Sequence, residues 1–273
     1  MTNQTAIPPG DHPDLVLFNI PVALFRAFPG RPVALRTADP GEAPQLLGPE
    51  VPAEVAFLQV TDLTQDLAPL ADWGDGLALD LVMADPATEL PLLYRCTGLI
   101  DRHPVRVTIP LMPGLARAVK LAVSLGFSVR LLGHQPTPDG VTEALQALDG
   151  YLHNTTVARP VEPFHSVLLG FLNDSPLGLW SLLEQDPDEI RILDDQGTVS
   201  PDQGPASVTT WCDTLVADGA ECRGCPYLRP CGGYFKWPQT DYDCAGVKAL
   251  FAGLRAAADE LRQGLADYAA TGG

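Results

Sequence analysis

The chain has 273 residues, 46% of them hydrophobic, with 17 basic against 34 acidic side chains and a formal net charge of −17. That length supports one large α/β domain, or one with a small appendix, and the acidic balance excludes the basic footprint that a nucleic acid or an anionic membrane surface requires. Six cysteines are far too few for a secreted disulfide scaffold.

The N-terminal "MTNQTAIPPGDHPD" lacks the basic and apolar regions of a signal peptide. No window offers the roughly 18 uninterrupted apolar residues of a membrane span; the best stretch, 113–133, is broken by Arg117, Lys120 and Arg130. The expected location is the cytoplasm, where thiols stay reduced and clustered cysteines point to metal.

Residues 1–14 are polar and Pro-rich and read as a flexible arm. An α/β segment, 15–160, follows. "RPVALRTAD" (31–39), "VAFLQVTDL" (55–63) and "LALDLVMAD" (77–85) are strand-like runs ending in turn formers, spaced tightly enough that only short helices, such as 63–72, fit between them. "VRVTIPL", "GLARAVKLAVSLG" and "FSVRLLG" then spell strand, amphipathic helix and strand, a βαβ unit that implies a parallel sheet. "PDGVTEALQALDGYLHN" supplies a further helix with Asp139 as a candidate cap.

The texture changes at about residue 160, so that 161–273 read as a second, smaller unit. "PFHSVLLGFL" and "SPLGLWSLLEQ" read as short helices, and "EIRILDDQGTVSPD" as a hairpin around Asp194-Asp195-Gln196-Gly197. The chain closes with a helix carrying Val247, Leu250, Leu254, Ala257 and Leu261 on one face.

Between hairpin and helix lies "ECRGCPYLRPCGGYFKWPQTDYDCAGVK", which spaces Cys222, Cys225, Cys231 and Cys244 as C-x2-C-x5-C-x12-C. A C-x2-C pair presents two thiolates from one tight loop, the third closes the other side, and the fourth returns from the start of the last helix. Four thiolates satisfy either tetrahedral zinc or a [4Fe–4S] cluster. The second C-x2-4-C knuckle usual for zinc is absent. Gly232-Gly233 allows close approach of backbone N–H groups, and Arg223, Arg229 and Lys236 form a basic patch beside the cysteines. Tyr234, Phe235, Trp237 and Tyr242 are placed to form a dry shell, or a docking surface. The five histidines, His12, His103, His134, His153 and His165, show no metal-binding spacing, and no G-x-S-x-G, Walker A or G-x-G-x-x-G occurs.

"CRGCPYLRPCGG" resembles the core of the SPASM domain, the auxiliary-cluster module of many radical SAM enzymes that act on peptides and proteins. The resemblance implies that Cys222, Cys225, Cys231 and Cys244 ligate one auxiliary [4Fe–4S] cluster. It departs from the family at the other cluster, because Phe235 and Asp202 stand where first-cluster cysteines belong. Neither the C-x3-C-x2-C motif of the catalytic cluster nor a Gly-Gly-Glu segment is present, and the N-terminal part holds Cys96 alone. The implied fold is α/β, a degenerate partial (β/α) barrel of radical SAM type with a small C-terminal cysteine-rich SPASM-like domain and a terminal helix. The implied function is that of an iron–sulfur accessory protein without SAM cleavage of its own. Like the stand-alone SPASM proteins of GeoRSP-type systems, it would act with a radical SAM enzyme, and with that enzyme's peptide substrate, in peptide, protein or cofactor maturation, through electron relay, complex assembly or substrate presentation. The alternative is a zinc-stapled binding module without a redox role; a third reading is an enzyme in its own right.

Overall fold

In the computed structural model, residues 16–154, 158–175, 177–200 and 203–271 are described. The flexible arm expected at 1–14, and with it His12, lies outside these residues, as does Asp202. Eight strands form one all-parallel sheet in the order β7-β6-β5-β4-β3-β2-β1-β8, curled into a half-barrel. They are β1 (Leu17–Pro21), β2 (Val33–Thr37), β3 (Val55–Val60), β4 (Ala78–Val82), β5 (Val105–Pro110), β6 (Ser128–Leu132), β7 (Val161–Glu162) and β8 (Ile190–Ile192). The order is that of a (β/α) barrel opened between its last two strands, consistent with the expected partial barrel.

The tight spacing of the first three runs has the expected consequence. The connections carry only α1 (Glu42–Leu47) and α2 (Ala68–Ala71), with 3-10 helical segments at 22–27 and 90–99. The full βαβ unit appears where the sequence is most periodic. Helix α3 (Leu115–Ser124) joins β5 to β6 and packs on both, with Leu115, Ala118, Val119 and Ala122 buried. Helix α4 (Pro138–His153) is capped not by Asp139 but by Thr137, whose Oγ accepts the Gly140 N–H at 3.2 Å. Pro138 takes the first helical position, where its missing N–H costs nothing, so the cap falls one residue before it.

The two short helices expected after residue 160 are α5 (Phe164–Leu172) and α6 (Leu179–Leu182). The expected hairpin is reduced to its turn. The Asp194 carboxylate takes the N–H groups of Gln196 and Thr198 and the Thr198 hydroxyl, and one antiparallel bridge links Leu193 to Val199. The strand leading into that turn, β8, instead joins the main sheet parallel to β1, with Leu17 opposite Ile190 and Asn19 opposite Ile192. After the turn come α7 (Val208–Ala217), α8 (Leu228–Cys231) and α9 (Ala245–Thr271). Helix α9 packs on α4 and α5, burying Val247, Leu250 and Leu254 as expected, together with Phe251 and Ala258. Leu261 is exposed, because the helix runs past its partners: every residue from Asp259 to Thr271 faces solvent. One continuous hydrophobic cluster extends from the sheet to Tyr234, Phe235, Cys244 and α9. Among the described residues no helix is long and apolar enough to cross a membrane.

The two faces of the sheet differ in kind. In parallel strands paired residues share a face and side chains alternate. Ile20, Leu35, Leu58, Leu79, Val107 and Val129 lie on one face, all buried. The other face carries a polar ladder: Arg36 opposite Gln59, Gln59 opposite Asp80, Asp80 opposite Arg106, and Thr108 opposite Arg130. Asp80 is fully buried and accepts from Arg130 at 2.6 Å, Thr108 at 2.6 Å, Gln59 at 2.9 Å and Arg106 at 3.0 Å. Glu184, just beyond α6, reaches back to take two bonds from Arg106, at 2.6 and 2.9 Å, and one from Arg130. It does so from a left-handed backbone conformation, φ 58°, an arrangement that persists only where the surroundings enforce it. Arg106 also lies over the Phe57 ring at 5.6 Å.

Burial alone would push the Asp80 carboxyl up, but the Arg106 and Arg130 guanidiniums outweigh it and hold Asp80 well below the usual carboxylate range; Glu184 is lowered by the same two arginines. Two carboxylates thus neutralise two guanidiniums inside the half-barrel. Removing one partner of such a buried set leaves an uncompensated charge. Asp80→Asn is therefore expected to lower unfolding stability by about 3–5 kcal/mol, read as a lower denaturant midpoint at unchanged slope. Both depressed carboxylates contribute stability that is complete above their ordinary values of 3.8 and 4.5 and is lost as pH falls further. The substitution should flatten that acid limb, and a variant with the parental acid dependence would contradict the assignment.

Candidate metal centre

All four predicted cysteines line one cavity. Cys222 sits in a single-turn helix at 221–224 and Cys225 just beyond it, Cys231 ends α8, and Cys244 immediately precedes α9. Their neighbours around the cavity are Glu221, Tyr227, Leu228, Lys236, Val247, Lys248 and Phe251. Short-range geometry brings the first three together: the Cys225 N–H bonds to the Cys222 carbonyl at 3.1 Å and the Leu228 N–H to the Cys225 carbonyl at 3.2 Å. Cys244 arrives by tertiary folding, its N–H held by the Glu221 carboxylate at 3.1 Å.

Gly232 and Gly233 both adopt positive φ, 58° and 69°, a conformation that glycine takes without steric cost. A side chain at Gly233 would also meet Leu215 at 2.5 Å, and one at Gly232 would meet Trp180 at 2.9 Å. The indoles of Trp180 and Trp211 donate to the carbonyls of Gly232 at 2.8 Å and Gly233 at 3.1 Å. The backbone N–H groups of Phe235 and Tyr234, which follow the pair, lower the Cys231 thiol against its burial. Such N–H···S contacts favour a thiolate and lower the electron density that it presents to a metal.

Charge is organised around a carboxylate that sequence inspection passed over. Glu221 takes Lys236 Nζ at 2.8 Å, Lys248 Nζ, and the Cys244 N–H. Lys236 is 4% exposed and also donates to the Tyr242 carbonyl. Burial pushes Glu221 up, but the hydrogen bonds from Lys236 and Lys248 prevail and hold it at about 2. Its adjacency to Cys222 was a visible signal; its distance from Lys248 in sequence concealed the rest. The thiols respond oppositely. Burial pushes Cys231 up to about 12 despite its two N–H contacts, pushes Cys244 up to about 12 despite Lys236, and raises Cys222. Without metal these three are protonated at neutral pH, so loading must release protons.

The predicted basic patch and aromatic shell are redistributed. Lys236 faces the cysteines, Arg229 faces a different cavity, and Arg223 is exposed. The dry wall is made by Tyr227 and Phe251, stacked at 5.2 Å with planes 13° apart, together with Leu228 and Val247. Tyr234 turns towards the half-barrel, where its hydroxyl donates to Gln185 at 2.8 Å and its ring lies 4.3 Å from that of His134. Trp237 packs edge-on against Trp211, and Tyr242 donates to the Pro136 carbonyl. Cys212 is half-buried on α7, close enough to Cys222 for their charges to interact, but it does not line the cavity. Cys96 is fully buried, its Sγ 3.4 Å from the Leu92 carbonyl, and burial pushes its thiol up to about 11.

The donor set suits a metal group bound by thiolates. Among the described residues no three Cys, His, Asp or Glu side chains are arranged to hold a single ion. Tetrahedral zinc draws its sulfurs to about 2.3 Å from one point, whereas a cubane carries each thiolate on a different iron and so spreads them apart. The enclosed space is about 20 Å³, room for one water-sized particle.

No protein-family model, curated protein or solved structure matches the chain. The chemistry rests on the cavity itself. Glu221→Gln strips Lys236 of its counter-charge and is expected to destabilise the metal-free chain by about 1–3 kcal/mol. Bound thiolates would supply replacement negative charge, so the loss should be smaller in the metal-loaded chain. Denaturant midpoints of the two forms check this; an equal loss in both would place Lys236 outside the reach of the thiolates.

Proposed function

We propose that this chain is an iron–sulfur accessory protein that holds one [4Fe–4S] cluster on Cys222, Cys225, Cys231 and Cys244 and serves a radical SAM enzyme in peptide or protein maturation. The observation that carries the reading is that four sequence-separated thiols line one cavity. The backbone N–H groups directed at Cys231 and the buried ammonium of Lys236 add to it. A cluster bound there supplies one-electron exchange or a rigid crosslink of the C-terminal segment. The protein's own residues fix the thiol positions, exclude water through Tyr227 and Phe251, and place Lys236 and Lys248 against the negative charge of the thiolates.

Two further observations support a chain without SAM chemistry. Cys96, the N-terminal cysteine, is sealed in the core. The inner face of the half-barrel is spanned by Asp80, Arg106, Arg130 and Glu184, four charges that already answer one another. The choice of a radical SAM enzyme as partner rests on the SPASM-like spacing alone.

A zinc-stapled binding module is the second reading, favoured by the narrowness of the enclosed space. Anaerobic purification with iron, sulfide and zinc analysis separates the two. The expected result is about four irons and four sulfides per chain, with a paramagnetic signal on reduction; each single Cys→Ser substitution at the four positions should lower iron content, while Cys96→Ser and Cys212→Ser should not. Stoichiometric zinc with little iron selects the second reading, and tight SAM binding would overturn the view of the half-barrel as catalytically degenerate.

A further inference from the structure

Beside the cysteine cavity lies a second and larger one, about 330 Å³, within the range of small-ligand sites. Its charged lining is Arg229, Arg255, Arg262, Asp174 and Asp259, a local excess of one positive charge in a chain of net −17. The three arginines are not equivalent. Arg262 is committed: it pairs with Asp259 at 2.6 Å and Asp174 at 3.7 Å and donates to the Phe171 carbonyl at 2.6 Å. Arg255 is held by ring faces, its guanidinium 4.4 Å from the Phe171 centroid and 5.6 Å from that of Tyr227. Those faces fix its plane but accept none of its in-plane N–H donors. Neither Arg255 nor Arg229 forms an ion pair or side-chain hydrogen bond among the described residues, and both are exposed to the cavity and solvent.

We infer that this cavity is a carboxylate-binding site, in which Arg229 and Arg255 clamp an acidic side chain of a peptide. A guanidinium presents a flat fork of donors that matches an oxyanion in two-point fashion. Here one fork is oriented by Phe171 and Tyr227, while the second projects from α8, stiffened by Pro226 and Pro230 on either side. The net charge of the lining selects the class of anion. Asp174 and Asp259 already answer Arg262 and offset part of the remaining positive charge, so a monoanionic carboxylate balances the site, whereas a phosphate dianion leaves it negative. Asp174 holds its place from a left-handed backbone, φ 52°, as side chains at binding sites often do. The site does not depend on what the cysteines hold, although Tyr227 lines the cysteine cavity and also lies beneath Arg255.

The test is a titration of the full chain at low salt with acetyl-Gly-Glu-Gly-amide, its Gln counterpart and inorganic phosphate, following arginine side-chain N–H resonances. Saturable binding of the Glu peptide, none of the Gln peptide, and loss at high salt are expected. The Arg229→Gln/Arg255→Gln double variant should weaken binding by about tenfold or more with the melting temperature and metal content of the parent. Arg255→Lys, which keeps charge but not the fork, should fall between. Equal binding of Glu and Gln peptides, no binding of either, or undiminished binding by the double variant overturns the proposal; tighter binding of phosphate overturns the carboxylate assignment. Metal content, measured on the same samples, reports separately on the iron–sulfur reading.

Discussion

Asp80 and the two arginines around it occupy the position from which the rest of the structure is organised. A fully buried carboxylate is tolerable only when paired and hydrogen-bonded throughout, and Asp80 meets this with donors from β3, β5 and β6. Arg106 and Arg130 then require a second carboxylate, and Glu184 supplies it from the far side of the gap between β7 and β8. Gln185, next in the chain, accepts the Tyr234 hydroxyl, and Tyr234 follows the glycine pair that leads on from Cys231. A line of polar contacts thus runs from the centre of the half-barrel to the cysteine cavity, and the cysteine-rich segment is anchored to the sheet rather than tethered beside it.

The open barrel has a physical cost and a physical compensation. Closure would satisfy the outer edges of β7 and β8 through each other; here both strands are short, two and three residues, which limits the exposed edge. The interior that an enzyme barrel would devote to a ligand is spanned by charges that satisfy each other. The two cavities described lie instead among α5, α8, α9 and the cysteine loop. They share Tyr227 as a wall or a support.

Much of this was legible from the residues. The βαβ unit over 105–132 and the last helix follow from periodicity, because a helix or strand that buries one face must write that face into its sequence. The four cysteines were legible as a group because their C-x2-C-x5-C-x12-C spacing stands out, and the structure brings all four to one cavity. The Gly232-Gly233 pair was legible as a close-approach device, and positive φ with Trp180 and Leu215 close by accounts for both glycines. The polar ladder was not: Gln59, Asp80, Arg106 and Arg130 each appear singly within apolar strands, and only their register across four strands shows that they face one another. Glu221 and Lys248, 27 residues apart, were likewise invisible as a pair.

The amino-acid sequence by itself determined the α/β class, the positions of the principal strands and helices, and the set of four thiols, because these depend on local periodicity and on ligand chemistry that no neighbour can substitute. Tertiary structure alone decided that β8 joins β1 rather than folding back as a hairpin, that Glu184 closes the charge set, that Lys236 turns inward while Arg229 and Arg255 are left without carboxylates among the described residues, and that α9 outruns the body beyond Ala258. Each of these is a choice among partners distant in the chain. It is settled by which buried charges and apolar faces must be satisfied together, a condition that exists only once the sheet has formed.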